Sequence, residues 1–204
     1  MIAIIDYGVG NLFSICSSLE YIGQDAVITN DRETIERSSK LILPGVGAFA
    51  DAIEKLRSGG LSELIVREAR KGKPLLGVCL GMQLLFEKSF EFGEHEGLGL
   101  LRGVTAPIEP RLPSGYKIPH IGWNALKLPG SVKSPLFKYT SEGAYVYFVH
   151  SYHAELCEAT VTATAEYGAI LTAAVGCGNI FGTQFHPEKS GAVGLNILRA
   201  FAEV

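Results

Sequence analysis

The chain is 204 residues long, with 47% hydrophobic and 19% charged side chains and a formal net charge of −3. A chain of this length buries about 70% of its unfolded surface, and this composition excludes intrinsic disorder. Lys and Arg total 18 against 21 Asp and Glu, with no block of like charges, which argues against a nucleic-acid or polyanion partner.

The first half alternates short apolar runs with helical patterns. Ile2 to Ile5 is a continuous β-branched run, as a buried parallel strand should be. Asn11 to Ile22 follows with Leu12, Ile15, Cys16, Leu19 and Ile22 at helical spacing, and Gly23 stops it. Ala26 to Ile28 reads as a second strand. Asp31 to Arg37 reads as a short helix capped by Asn30 or Asp31. Leu41 to Leu43 is a third strand, ended by Pro44-Gly45. Ala50 to Leu56 and Ser62 to Arg70 are helices separated by Gly59-Gly60. Leu75 to Val78 is a fourth strand, with a helix over Gly81 to Lys88 behind it. This alternation predicts an α/β fold with a mostly parallel central sheet flanked by helices.

From Gly93 to Pro135 the pattern loosens, and Gly and Pro are frequent. Strands return at Ala144–Val149, Val161–Glu166, Ile170–Val175 and Ile180–Gln184, separated by turn signals that include Gly176-Cys177-Gly178. Gly191 to Ala202 closes the chain as a helix with Leu195, Leu198 and Phe201 on one face. No repeat or linker divides the sequence, so residues 1–204 are expected to form one domain.

The cysteines are Cys16, Cys79, Cys157 and Cys177. None forms a C-x-x-C pair, and no His/Cys/Asp/Glu cluster has metal-ligand spacing, so neither a metal nor another cofactor is expected. The N-terminus lacks a basic region and a long apolar run, and no stretch approaches a membrane span. A cytoplasmic protein with free thiols and no membrane association is the expectation.

Chemistry concentrates at Gly77-x-Cys79-x-Gly81, where a strand turns sharply into a helix. Flanking glycines let the backbone crowd around a strained residue, which is the logic of a nucleophile elbow. The helix N-terminus favours a thiolate there and offers N–H groups to an oxyanion. A buried structural cysteine would satisfy the same spacing. His186 ends the last strand in Thr183-Gln184-Phe185-His186-Pro187-Glu188. Residues two apart in an extended segment share a side, so Glu188 can hold the His186 tautomer; a solvated His–Glu pair is the alternative. His120, His150 and His153 read as structural or peripheral, and His95 as an exposed loop residue. Leu43-Pro44-Gly45-Val46-Gly47-Ala48-Phe49 follows the third strand at the same sheet edge, and its glycines permit close approach of a substrate. Gly8-Val9-Gly10 lacks the third glycine of a dinucleotide loop, since Phe13 occupies that position.

Gly77-Val78-Cys79-Leu80-Gly81-Met82-Gln83, with Phe185-His186-Pro187-Glu188 about 105 residues later, resembles the triad-type (class I) glutamine amidotransferase family. Asp6-Tyr7-Gly8-Val9-Gly10-Asn11, the 43–49 loop, His120-Ile121-Gly122-Trp123-Asn124, Tyr147-Phe148-Val149-His150-Ser151-Tyr152 and His186-Pro187-Glu188-Lys189-Ser190 extend the likeness from residue 6 to residue 190. As an ordered set they resemble the glutaminase subunits of imidazole glycerol phosphate synthase. The resemblance implies a flavodoxin-like fold and hydrolysis of L-glutamine by Cys79, His186 and Glu188. It implies an oxyanion hole from Leu80 and the Val46-Gly47 peptide, and glutamine contacts from Gly45, Gln83, Glu91, Ser151 and Tyr152. It also implies a (β/α)8 cyclase subunit as partner in a heterodimer, met by Asn11, Trp123 and Lys189; for Trp123 a core position is the alternative.

Overall fold

The computed structural model describes residues 1–129 and 134–204. The elements run β1 (Ile2–Ile5), α1 (Leu12–Tyr21), β2 (Ala26–Thr29), α2 (Arg32–Arg37), β3 (Lys40–Gly45), α3 (Phe49–Ser58), α4 (Leu61–Arg70), β4 (Leu75–Cys79) and α5 (Leu80–Gln83). Nine strands and a helix follow: β5 (Lys88–Ser89), β6 (His95–Glu96), β7 (Val104–Pro107), β8 (His120–Lys127), β9 (Tyr145–His150), β10 (Tyr152–Glu155), β11 (Val161–Glu166), β12 (Ile170–Cys177), β13 (Ile180–Thr183) and α6 (Gly191–Ala202).

A nine-stranded sheet has the order β2-β1-β3-β4-β13-β12-β11-β8-β9. The strands from β2 to β13 pair in parallel, and those from β13 to β9 antiparallel. Strand alternation divides the parallel half between two cores. Ala3, Ile5, Leu41, Leu43 and Leu75 meet Ile35 of α2, Phe49 and Leu56 of α3 and Leu64 of α4. Ile2, Ile4, Ile42, Leu76 and Val78 meet Ile15 and Leu19 of α1 and Leu198 and Phe201 of α6 on the other face. Burial on both sides is why these strands read as unbroken apolar runs. A small second sheet, β10-β7-β5-β6, flanks the main one. Among the described residues no helix is long and apolar enough to cross a membrane.

Several local expectations change. Asp31 is the cap of α2, accepting from the Thr34 N–H at 2.8 Å. The third strand runs on through Pro44 and Gly45, which pair with Val78 and Cys79. Its pairing with β1 ends at Ile42, so the N–H that Pro44 lacks faces a side where no ladder continues. The Tyr7 hydroxyl there donates to the Pro44 carbonyl at 2.7 Å. The helix expected over Gly81–Lys88 is a single turn. The carbonyls of Leu84, Leu85 and Phe86 bond to the N–H groups of Leu98, Leu100 and Gly99 instead of propagating it. The loose stretch from Gly93 to Pro135 contains β6, β7 and the eight-residue β8; its residues 130–133 lie outside the described residues. Strand β10 carries no signal in the sequence pattern. Strand β12 extends to Cys177, so the turn signalled by Gly176-Cys177-Gly178 lies at its far end.

Candidate active site

Parallel pairing of β3, β4 and β13 brings three chain segments to one sheet edge. Cys79 ends β4 with φ +56° and ψ −113°, a left-side backbone that a side-chain-bearing residue rarely adopts. The crowding around it requires glycine. A Cβ on Gly77 would lie 2.6 Å from the Gly81 carbonyl oxygen, and one on Gly81 would overlap the Leu43 carbonyl. Since α5 is one turn, the positive end near Cys79 comes from the free N–H groups of that turn rather than from a long dipole.

His186 follows β13 and is held by its backbone. Its N–H donates to the Tyr147 carbonyl at 3.0 Å, and its carbonyl accepts from the Ser190 hydroxyl at 2.6 Å. The imidazole Nδ1 lies 2.8 Å from Glu188 Oε1, and the Glu188 side chain is fully buried. A carboxylate accepts, so Nδ1 donates to it and Nε2 is the nitrogen left to exchange a proton with the site. His186 Nε2 and Glu188 Oε2 have no hydrogen-bond partner among the described residues. Burial opposes protonation of His186, but the neighbouring Cys79 and Glu188 outweigh it and push the imidazole up to about 10.

A cavity of about 390 Å³ opens over these groups, within the range of small-ligand sites. It is lined by Cys79, Leu80 and Gln83 of the elbow, by His186 and Lys189, by Val46, Gly47 and Glu91, and by Val149 to Tyr152 with Pro119. The Cys79 Sγ lies 3.9 Å from the Val149 carbonyl and 3.7 Å from Gln184 Nε2. Gln83 Nε2 donates to the Tyr152 carbonyl and to Gln184 Oε1, both at 3.0 Å. Gly47 has φ +87°. Glu91 accepts from the Phe49 N–H at 2.6 Å, capping α3 from a distant loop; burial pushes its carboxyl up against that bond.

Ten residues singled out in the sequence therefore line one cavity: Val46, Gly47, Cys79, Leu80, Gln83, Glu91, Ser151, Tyr152, His186 and Lys189. Glu188 stands behind His186. Gly45 lies beside the elbow in β3, paired with Cys79, rather than in the cavity wall. Asn11 turns its amide inward onto Glu188 Oε1 at 3.3 Å. Trp123 is 54% exposed, so the core alternative is excluded; it meets Tyr147 edge-on, and Lys189 Nζ lies 5.9 Å from the same ring. His150 is no peripheral residue but part of the cavity wall. His95 is half-buried in β6, not an exposed loop residue. Glu188 meets His186 through a 3-10 turn over Pro187–Lys189 rather than through the extended alternation expected there; Gln184, two residues before His186 on the extended chain, reaches Cys79 and carries no motif of its own.

An α/β sheet that ends a strand in a strained thiol and turns into a helix belongs among the nucleophile-elbow proteins. Its relatives narrow the class. The profile of the "Glutamine amidotransferase class-I" family matches residues 3–203. The imidazole glycerol phosphate synthase subunit HisH of Caldanaerobacter subterraneus subsp. tengcongensis is 51% identical over 205 residues, covering 100% of this chain and 98% of that protein. The same-named subunit of Wolinella succinogenes is 48% identical, with 100% of each covered. In fold, the chain is similar to a solved glutamine amidotransferase (TM-score 0.76, 20% identity, 100% and 98% covered) and to PurLQS of Thermotoga maritima (0.73, 20%, 99% and 97%). The chain belongs to the class-I glutamine amidotransferase family and, within it, to the HisH subunits of imidazole glycerol phosphate synthase.

Proposed function

We propose that Cys79, His186 and Glu188 hydrolyse the side-chain amide of L-glutamine and that the ammonia serves a (β/α)8 cyclase subunit in the cytoplasm. The observation that carries this reading is the shared cavity of the elbow thiol and an imidazole whose Nδ1 is fixed 2.8 Å from a buried carboxylate. Cys79 attacks the amide carbon. His186 takes the thiol proton through Nε2 and delivers it to the leaving nitrogen, so ammonia departs and a glutamyl thioester remains. Water, deprotonated by the same nitrogen, then releases glutamate and restores the thiol. Glu188 fixes the proton on Nδ1, so Nε2 is the nitrogen that gains and loses the transferred proton. The Leu80 N–H and the Val46-Gly47 peptide stabilise the oxyanion, and the exposed, glycine-flanked Val46 supports a peptide that turns toward the substrate. Gly45 shapes this loop. Gln83, Glu91 and the Ser151-Tyr152 backbone hold the amino-acid end of glutamine.

The cyclase covers the cavity mouth and receives ammonia there, producing imidazole glycerol phosphate and an aminoimidazole carboxamide ribonucleotide. The exposed Trp123 and the Lys189 ammonium, each beside the Tyr147 ring, support this face as the interface. Asn11 reaches the same region through Glu188.

Glutamate release from glutamine is the test, with the chain alone, with the cyclase subunit, and with the cyclase and its nucleotide. Strong activation in the full mixture, lost in Cys79→Ala while the two subunits still associate, is the expected result. Turnover that survives Cys79→Ala would remove the thiol from the mechanism, and no turnover in any mixture would leave a non-catalytic scaffold.

A further inference from the structure

The polar groups beneath the cavity form one hydrogen-bonded chain whose direction is set by a single carbonyl. A carbonyl only accepts. His150 Nδ1 lies 2.9 Å from the Tyr152 carbonyl, so Nδ1 carries a proton. Burial disfavours the imidazolium and pulls His150 down to about 3, which leaves its Nε2 bare and able only to accept. His120 Nδ1 lies 3.0 Å from that nitrogen and must therefore be the donor. His120 is itself neutral, pulled down to about 4 by burial, and stacks between Tyr167 and Phe148 at 4.0 and 4.9 Å.

The same carbonyl fixes the other branch. The Gln83 amide atom 3.0 Å from Tyr152 O must be nitrogen, and its second hydrogen meets Gln184 Oε1. Gln184 then presents its own nitrogen to Cys79 Sγ at 3.7 Å. Both hydrogens of the Gln83 nitrogen are used, so its carbonyl oxygen is the end left for a ligand. Reversing any one link would set donor against donor or acceptor against acceptor in a buried site.

We propose that His120 and His150 are positioning residues, an imidazole pair locked in one tautomer each, which pins the Tyr152 carbonyl and thereby sets which ends of Gln83 and Gln184 face the substrate and the thiol. The inference rests on the glutaminase reading above. Without the His120 donor, His150 Nε2 is a buried acceptor with its partner gone; pairing it by moving the proton there would set a bare Nδ1 against the Tyr152 carbonyl, and either outcome shifts the 149–152 wall that meets Cys79.

Two substitutions separate this role from packing. His120→Phe keeps an aromatic ring between Tyr167 and Phe148 but removes the donor. His120→Gln keeps a donor and loses the stack. In the complex with the cyclase and its nucleotide, His120→Phe should raise the glutamine KM about tenfold, with a smaller change in kcat, and His120→Gln should restore most of the loss. A benign His120→Phe with a damaged His120→Gln would overturn the proposal in favour of packing, as would two benign variants. If both are damaged, ¹⁵N imidazole shifts of the unsubstituted chain decide. Nδ1–H on both rings supports the relay, and Nε2–H on His150 overturns it. Inactivity of the unsubstituted complex would instead sink the glutaminase reading, while the tautomer measurement would still stand.

Discussion

The strain at Cys79 makes a prediction that runs against its place in the chemistry: Cys79→Gly should be more stable than Cys79→Ala. Both substitutions remove the sulfur, so the loss of its contacts with Val149 and Gln184 cancels. What differs is the backbone at φ +56°, ψ −113°. Holding a Cβ-bearing residue in such a region costs about 2 kcal/mol. Glycine avoids that cost but loses about 0.5–1 kcal/mol more conformational entropy on folding. The net advantage is about 1 kcal/mol for Cys79→Gly over Cys79→Ala, or roughly 2–4 °C in melting temperature for a chain of this size. Urea unfolding of the two variants should give equal slopes and a higher midpoint for the glycine form. Equal midpoints, or a more stable alanine form, would show that the elbow stores no strain and that its conformation is simply what this sequence prefers.

Two pH effects of opposite sign follow from Glu68 and His186, each buried beside a charged partner. The Glu68 carboxyl is held down to about 2, chiefly by Lys71 at 2.7 Å and with help from Lys73 at 3.1 Å, against the effect of burial. Its folded value lies below the unfolded value of about 4.3, so its contribution is full above that pH and is lost as pH falls toward 2. Glu68→Gln should flatten the acid limb of the stability curve by on the order of 1 kcal/mol, since the exposed Lys71 is well screened; an unchanged limb would remove Glu68 from acid unfolding. His186 runs the other way. Its folded value, about 10, lies above the unfolded value of about 6.5, so its contribution is full below pH 6.5 and fades as pH rises toward 10. Unfolding measured at pH 6.5 and 9.5 should show a larger loss in the unsubstituted chain than in Cys79→Ala, and equal losses would disprove the coupling. Trp123 is the chain's one tryptophan and is 54% exposed. Its emission should shift to the blue on binding the cyclase, relative to a Trp123→Phe complex; no difference between the two complexes would place the interface elsewhere.

What the sequence made legible follows the physics that is local. The inner parallel strands β1, β3 and β4 are buried on both faces, so each appears as an apolar run bounded by turns, and the helices between them show one apolar face. The elbow was visible because its glycines are demanded by backbone atoms within a few residues and by the adjacent strand. The misreadings share a different origin. Strand β8 has no run of apolar residues: only His120 and Leu126 are buried, while Ile121, Trp123 and Lys127 are exposed. It is a strand because β9 pairs with it from His120↔His150 to Ala125↔Tyr145, a partner that no local window contains. The shortened α5 is likewise decided from outside, by the 97–101 backbone that captures its carbonyls. His120 and His150 looked structural for the same reason. Singly each is a histidine in a strand, and only the register of β8 on β9 sets one imidazole against the other beneath the cavity. The elbow cysteine and the histidine at the end of the last strand were readable from spacing, whereas the His120–His150 contact became visible only through the pairing of distant strands.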